Sequence, residues 1–413
     1  MKVLALIVLS GVAIAYALVS KWVRRFPLTG PMLFVGAGML VSGRALGVLE
    51  LDVETSSMHL LAEFTLIFLL FADASKVDVR ALRRKLSLPV RLLLIGMPLT
   101  ILAGVGVGLL LFPDWPFASL LVLAALLAPT DAALGQAVVE DERLPEGLRR
   151  GLSVESGLND GIAVPIVVTG IAIASMSEEG GLVFGVLQVT VGPLMGLLVG
   201  GVGGRLVQWA EERDYVGESQ QAIVGLAMAT FAYASAEAVH GNGFISVFVA
   251  GMTIGALSPK ACKSLHEFVE REGQVLMYLV FIFVGCLYAI PALTESSWEH
   301  VAYAAASLTL VRMIPVALSL VGSDLHRWSR VLAAWFGPRG IATVVFAIVA
   351  VEAEELPMHE EIFTVAMLTV VLSVFAHGAT AAPAAGLYAR YCSPKLDASA
   401  AEHESVYQTK ENE

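Results

Sequence analysis

A chain of 413 residues that is 57% hydrophobic and only 15% charged, with a mean hydropathy of +0.76, excludes a soluble globular domain, in which roughly a quarter of residues carry charge. Its formal net charge of −11 says little about partners, because acids and bases fall in different loops, and no nucleic-acid partner or cofactor is expected. Cys262, Cys286 and Cys392 are too widely spaced for a zinc site or a redox pair, and an odd number argues against a disulfide framework.

A window of about 20 residues, the length of a bilayer-spanning helix, finds about thirteen apolar segments. They lie near residues 3–20, 28–49, 57–73, 86–112, 115–138, 147–173, 181–208, 219–239, 242–258, 272–291, 299–321, 328–352 and 361–387. The first begins like a signal peptide, with Lys2 before an apolar run containing Ala13-Ile14-Ala15, but Lys21, Arg24 and Arg25 follow at once. Positive charge on that flank reads it as a first transmembrane helix with its N-terminus outside.

The loops alternate in sign along the chain. One set carries Lys21/Arg24/Arg25, Lys76/Arg80/Arg83/Arg84/Lys85, Arg143/Arg149/Arg150, Arg205/Arg213, Lys260/Lys263/Arg271 and Arg327/Arg330. The other holds Glu50/Asp52/Glu54, Asp114, Glu178/Glu179, Glu295/Glu299 and Glu352/Glu354/Glu355/Glu360/Glu361. The positive-inside rule makes the first set cytoplasmic, together with the C-terminus. The compact size suggests the plasma (inner) membrane of a prokaryote.

The expected fold is an all-α polytopic membrane protein of about 13 transmembrane helices. Pro129-Thr130-Asp131 interrupts the fifth span, and Gly337-Pro338-Arg339-Gly340 interrupts the twelfth, seven spans later. Interrupted helices in corresponding positions point to two six-helix inverted-topology repeats, with a site at the midplane where the breaks cross. The expected divisions are 1–175 (first repeat, spans 1–6), 176–215 (linker helix), 216–390 (second repeat, spans 8–13) and 391–413 (a short disordered cytoplasmic tail, with no regulatory module after it). Glycines in the fourth and seventh spans, and the Ala and Gly of the last, allow helix backbones to approach closely.

The chemistry concentrates between Leu120 and Pro165, in two apolar helices that are each expected to break near the middle. Asp131 and Asp160 lie at membrane depth, where a charge costs on the order of 2.5 to 3.5 kcal/mol even by lenient scales and so marks an ion or proton path. The proline at 129 frees carbonyls and the Thr130 hydroxyl to face a cavity. In the next span Ser156 and Asp160 share one helix face, and Glu155 and Asn159 share the adjoining one. That mixture of oxygens suits a hard monovalent cation, and the same carboxylates bind a proton in competition with it. Arg339 needs a partner in this setting, with Glu155 the best candidate, and Thr130 and Asn159 are placed to bridge the helices.

Four ordered strings then resemble the NhaP-type sodium/proton antiporters. They are Ala128-Pro129-Thr130-Asp131, Glu155-Ser156-Gly157-Leu158-Asn159-Asp160-Gly161, Gly243 through Gly251 (GFISVFVAG) and Gly337-Pro338-Arg339-Gly340, with Arg312 and His377-Gly378 in register. The resemblance implies a homodimer, with a dimerisation domain and a six-helix core that moves like an elevator. It implies that Asn159 before Asp160 marks the electroneutral branch, exchanging one cation for one proton. Thr130, Asp131, Ser156 and Asp160 match the Na+ site, with Asn159, Glu155 and Arg339 in support. Asp73 stands where some members place a glutamate ligand, one methylene longer.

Each residue also has a plainer reading. Asp131 and Asp160 can cap helix ends, Asp73 can form an interfacial salt bridge with Lys76, and Arg312 can pair with a carbonyl or an acid inside the bundle. His240 reads as a loop residue, and His377 as a packed, hydrogen-bonded one rather than a pH sensor. The leading function is exchange of Na+, or Li+, for H+, with a K+-preferring exchanger as the alternative. From other classes, two membrane aspartates allow an intramembrane aspartyl protease, and the architecture allows an organic-anion carrier.

Overall fold

The computed structural model describes residues 2–23, 26–47, 55–76, 88–131, 134–139, 141–174, 181–258, 273–323 and 325–391. Of the expected tail only Tyr391 is described, as the last residue of a helix, and the rest lies outside these residues with Cys262 and Cys392, while Cys286 is a buried free thiol. Every apolar segment read from the sequence contains helix. In chain order these are α1 (Lys2–Val23), α2 (Gly30–Val41), α3 (Thr55–Ser75), α4 (Leu88–Leu111), α5a (Phe117–Leu126) and α5b (Gln136–Val139), and α6 (Glu146–Ala174). There follow α7 (Gly181–Glu212), α8 (Glu218–Glu237), α9 (Gly243–Leu257), α10 (Gly273–Thr294), α11 (Trp298–Ser319), α12a (Arg327–Trp335) and α12b (Ile341–Glu352), and α13 (His359–Tyr391). Among the described residues six helices are long and apolar enough to cross a membrane, namely α4, α6, α7, α10, α11 and α13.

Both expected interruptions are present. α5a stops at Leu126, one turn before Pro129 would have had to donate into its ladder, and α12a stops at Trp335 ahead of Pro338. The expected break in the next span is absent, because α6 runs unbroken for 29 residues. Its Glu155, Ser156 and Asn159 side chains find partners outside the helix and leave its backbone ladder intact. Two further irregularities occupy α4 and α10, where π-helical turns at Leu92–Gly96 and Val284–Ala289 end two residues before Pro98 and Pro291. A proline lacks the donor for the carbonyl four residues back, so the ladder widens by one residue.

Glycine stripes bring the backbones together. A Cβ at Gly192, Gly196 or Gly200 of α7 would collide with Asn242, Ser246 or Ala250 of α9. On the opposite side of α9, Gly251 and Gly255 accept the backbone of α3 at Phe71 and Ser75. α9 is therefore wedged between α7 and α3, the close packing that small residues permit between apolar helices. α6 lies against α3 and α5a and carries the polar residues of the molecule's centre.

Candidate functional site

The two interruptions cross. The Asp131 N–H donates to the Pro338 carbonyl at 2.8 Å, and the Ile341 N–H donates to Asp131 Oδ2 at 3.1 Å. One carboxylate oxygen of Asp131 thus meets the first turn of α12b, where unpaired N–H groups and the helix dipole favour negative charge. At the other half-helix end, Arg339 Nη1 donates to the carbonyls of Ala128 at 3.3 Å, Pro129 at 3.1 Å and Gly337 at 3.1 Å. The Ala128 and Pro129 carbonyls are left without helical donors by the end of α5a and the Gly337 carbonyl by the end of α12a, and one guanidinium serves all three. Thr343 Oγ1 also donates to Leu126 O at 3.1 Å. Each break is closed by the other.

The glycines of the second break make room for these charges. A Cβ at Gly340 would fall on the Asp131 carboxylate, and one at Gly337 would stand 2.8 Å from Arg312 Nε. Gly340→Ala is expected to abolish exchange and lower the melting temperature, because the carboxylate has to leave the α12b N-terminus. Gly106→Ala in α4, whose Cβ would meet nothing within 4 Å, is the control and should leave both transport and thermal melts unchanged.

α6 presents its polar face to this crossing. Thr130 Oγ1 donates to Glu155 Oε2 at 3.3 Å, shares a hydrogen bond with Ser156 Oγ at 3.0 Å, and accepts from Asn159 Nδ2 at 2.7 Å. These contacts use the one donor and both acceptor positions of a hydroxyl. Asn159 Nδ2 also reaches the Thr130 carbonyl at 3.4 Å, which makes that end of the amide the donor. Thr130 and Asn159 bridge α5 and α6 as their sequence positions suggested. Thr130, Glu155, Ser156 and Asn159 are all buried.

Asp160 differs from the rest. Its Oδ1 is buried and has no hydrogen-bond partner, and the same holds for Asn159 Oδ1. The carboxylates of Asp131, Asp73 and Glu155 lie within electrostatic reach of it. Buried acceptor oxygens without donors, surrounded by like charges, are what a cation or a proton stabilises. Asp73 packs against Gly157 of α6, its Cγ 3.4 Å from where a Cβ would stand. It also holds Lys76 Nζ at 2.7 Å, with both side chains partly exposed. The salt bridge and the place beside the site are therefore both present.

One expected pairing is corrected. Glu155 meets Arg312, not Arg339, with Nη1 to Oε1 at 3.0 Å and both side chains at most 2% exposed. Arg339 is occupied by the carbonyls of the breaks, since it stands inside one of them. Arg312 follows a kink of α11 at Thr309, where φ is −118° and ψ is −95°. That kink and the choice between two arginines left no distinct sequence signal.

His377 is packed, as expected. Its Nδ1 pairs with Ser373 Oγ at 3.0 Å and its Nε2 with the Trp335 carbonyl at 3.2 Å, while Ser373 Oγ accepts from the Arg339 N–H at 2.7 Å. A neutral imidazole protonated at Nε2 satisfies the whole chain of bonds. His240 is an exposed turn residue with φ of +60°.

Two interrupted membrane helices that cross beside buried carboxylates are the arrangement in which secondary transporters build their ion sites. The chain belongs to the sodium/hydrogen exchanger transmembrane family, which matches residues 12–386, in agreement with the NhaP-type resemblance of its motifs. It is 25% identical over 366 residues to the K(+)/H(+) antiporter NhaP2 of Shewanella oneidensis, covering 86% of this chain and 62% of that protein. It is 24% identical over 361 residues to the K(+)/H(+) antiporter NhaP of Alkalimonas amylolytica, covering 86% and 61%. The chain thus spans about 62% of the length of the curated relatives it matches. The sodium proton antiporter MjNhaP1 from Methanocaldococcus jannaschii, solved at pH 8, shares the fold with a TM-score of 0.72 at 21% identity, over 91% of this chain and 96% of that one.

Proposed function

We propose that this protein exchanges one monovalent cation, Na+ or Li+, for one proton across the plasma (inner) membrane of a prokaryote. The cation and the proton compete for Asp160 and Asp131, with Thr130 and Ser156 supplying neutral oxygens, Asp73 alongside, and Asn159, Glu155 and Arg339 holding the crossing together. The observation that carries this reading is the charge of the crossing. Two guanidinium groups, Arg312 and Arg339, stand against three carboxylates, Glu155, Asp131 and Asp160, while the nearby Asp73 is offset by its ion pair with Lys76. When all are ionised, one negative charge remains, and a single cation or a single proton neutralises it. An uncompensated charge is expensive at membrane depth, so the carrier reorients when loaded with either and not when empty. Electroneutral one-for-one exchange follows.

K+ is the second reading, favoured by the K(+)/H(+) antiporter names of the sequence relatives. A homodimer, with α1 opening outside, the C-terminus cytoplasmic, two inverted repeats and an elevator-like movement of the core, completes the proposal. The protease reading loses its ground, since the family is one of transporters. An organic-anion site is disfavoured by the excess of carboxylates over guanidinium groups at the crossing.

Proton flux in proteoliposomes carrying an imposed pH gradient tests the proposal, with Na+, Li+, K+ or choline added in turn. The gradient should collapse with Na+ or Li+ and hold with choline, at the same rate whether the voltage is clamped or free. Collapse with K+ alone would transfer the proposal to its second reading, and silence with every cation would end it.

A further inference from the structure

α6 carries a second feature that ion coordination does not require. Gly157 and Gly161 lie one turn apart, each one residue beyond Ser156 and Asp160, and so about 100° round the helix from them. Each notch is filled from outside α6. The Asp73 side chain sits at Gly157, its Cβ 3.1 Å from where a glycine Cβ would stand, and the ring of Phe248 occupies the place a Cβ at Gly161 would take. Both intruders come from the α3–α9 pair, which the close approaches at Gly251 and Gly255 fix in register.

The register sets their levels. α3 and α9 touch at Phe71–Gly251 and at Ser75–Gly255. Phe248 therefore stands three residues from Gly251 toward the end of the bundle where α9 begins, while Asp73 stands two residues from Phe71 toward the opposite end. At about 1.5 Å per residue the separation is roughly 7 Å, close to the roughly 6 Å between Gly157 and Gly161 along α6. Asp160 falls between a polar rung and an aromatic one. The polar rung faces the end that carries Lys76, Arg143, Arg149 and Arg150, and there Asp73 keeps 32% of its side chain exposed.

On the other side of the site the rings continue. Phe244, one turn further along α9, meets Tyr233 of α8 edge-on at 5.2 Å and Phe346 of α12b at 6.4 Å between ring centres. Phe248, Phe244 and Phe346 are all buried. Among the described residues, aromatic side chains from three helices stand between Asp160 and the acidic end.

We propose that Phe248 is the gate of the ion site on its acidic side. Its ring, seated in the Gly161 notch, separates Asp160 from that face of the membrane and must leave the notch when the site opens there. The seal works because an ion surrounded by apolar rings has lost its water without gaining oxygens. Glycine at 161 is what lets the ring come up against the helix beside Asp160. The inference rests on the transport reading of Asp160 and assigns that site its gating residue.

The test is side-specific labelling of Ser156→Cys, in a background without Cys262, Cys286 and Cys392, by a charged, membrane-impermeant methanethiosulfonate added to either side of vesicles of uniform orientation. With Phe248 present, labelling is expected to be severalfold faster from the basic side than from the acidic one; with Phe248→Ala the two rates should converge, and Phe248→Leu should restore much of the asymmetry. Gel filtration and thermal melts check that each variant is folded, and the graded Leu variant serves if Ala does not fold. In parallel, proteoliposomes of Phe248→Ala should lose an imposed pH gradient in choline severalfold faster than the parent protein. A ratio of the two rates that Phe248→Ala leaves unchanged, with no leak in choline, overturns the gate. A parent protein that labels faster from the basic side yet moves no cation refutes the exchange reading instead, while the labelling of Phe248→Ala still decides the gate.

Discussion

Asp160→Asn should reduce cation-driven proton flux to the level of empty liposomes and leave the protein folded. The substitution keeps the shape of the side chain and removes the charge for which the cation and the proton compete. At Asp160 the carboxylate has a buried oxygen without a partner and the charges of Asp131, Asp73 and Glu155 nearby. An amide in its place relieves that repulsion, so the melting temperature in choline should stay the same or rise. The sharper readout is ligand-linked stability. A ligand at a hundred times its dissociation constant stabilises the folded state by about 2.7 kcal/mol, and the parent protein should melt higher in the transported cation than in choline. In Asp160→Asn that difference should vanish. Flux at the parental rate, or a cation-dependent melt that persists, would remove Asp160 from the site.

Much of this arrangement is legible in the sequence because membrane helices follow strict rules. A proline inside an apolar run must leave carbonyls unpaired, so the breaks at Pro129 and Pro338 and their crossing could be read directly. Carboxylates between apolar neighbours mark the site for the same reason. The unbroken α6 shows where this reasoning overreaches. Ser156, Asn159 and Asp160 change which side chains need partners, but they do not interrupt the backbone ladder, and even Pro165 is carried inside the helix.

Complementarity between distant residues is what a single sequence conceals. Nothing near Gly340 says that its missing Cβ is where the Asp131 carboxylate lies, and nothing near Gly161 announces Phe248, 87 positions on. The partner of Glu155 is hidden in the same way. Arg312 and Arg339 are the same residue type and both are buried, and only the geometry of the break, with its bare carbonyls, decides which of them is left for the acid.

That choice carries the other large effect. Arg312→Met should strip Glu155 of its ion partner at a site no more than 2% exposed and destabilise the protein by about 3 to 5 kcal/mol, the usual penalty for leaving one member of a buried pair behind. Glu155→Gln should destabilise as well, by stranding Arg312, whose Nε and Nη2 already lack partners. The double substitution removes both charges and should recover most of the stability, since a buried pair and an apolar replacement of similar volume differ little. Arg339→Met belongs to a different class, because its loss uncovers the carbonyls of Ala128, Pro129 and Gly337. Pairing it with Glu155→Gln should therefore give no recovery. Thermal melts of the two double-mutant cycles separate these cases. Strong coupling of Glu155 to Arg312 and weak coupling to Arg339 is the expected pattern, and the reverse would return the pair to the assignment that the sequence alone favoured.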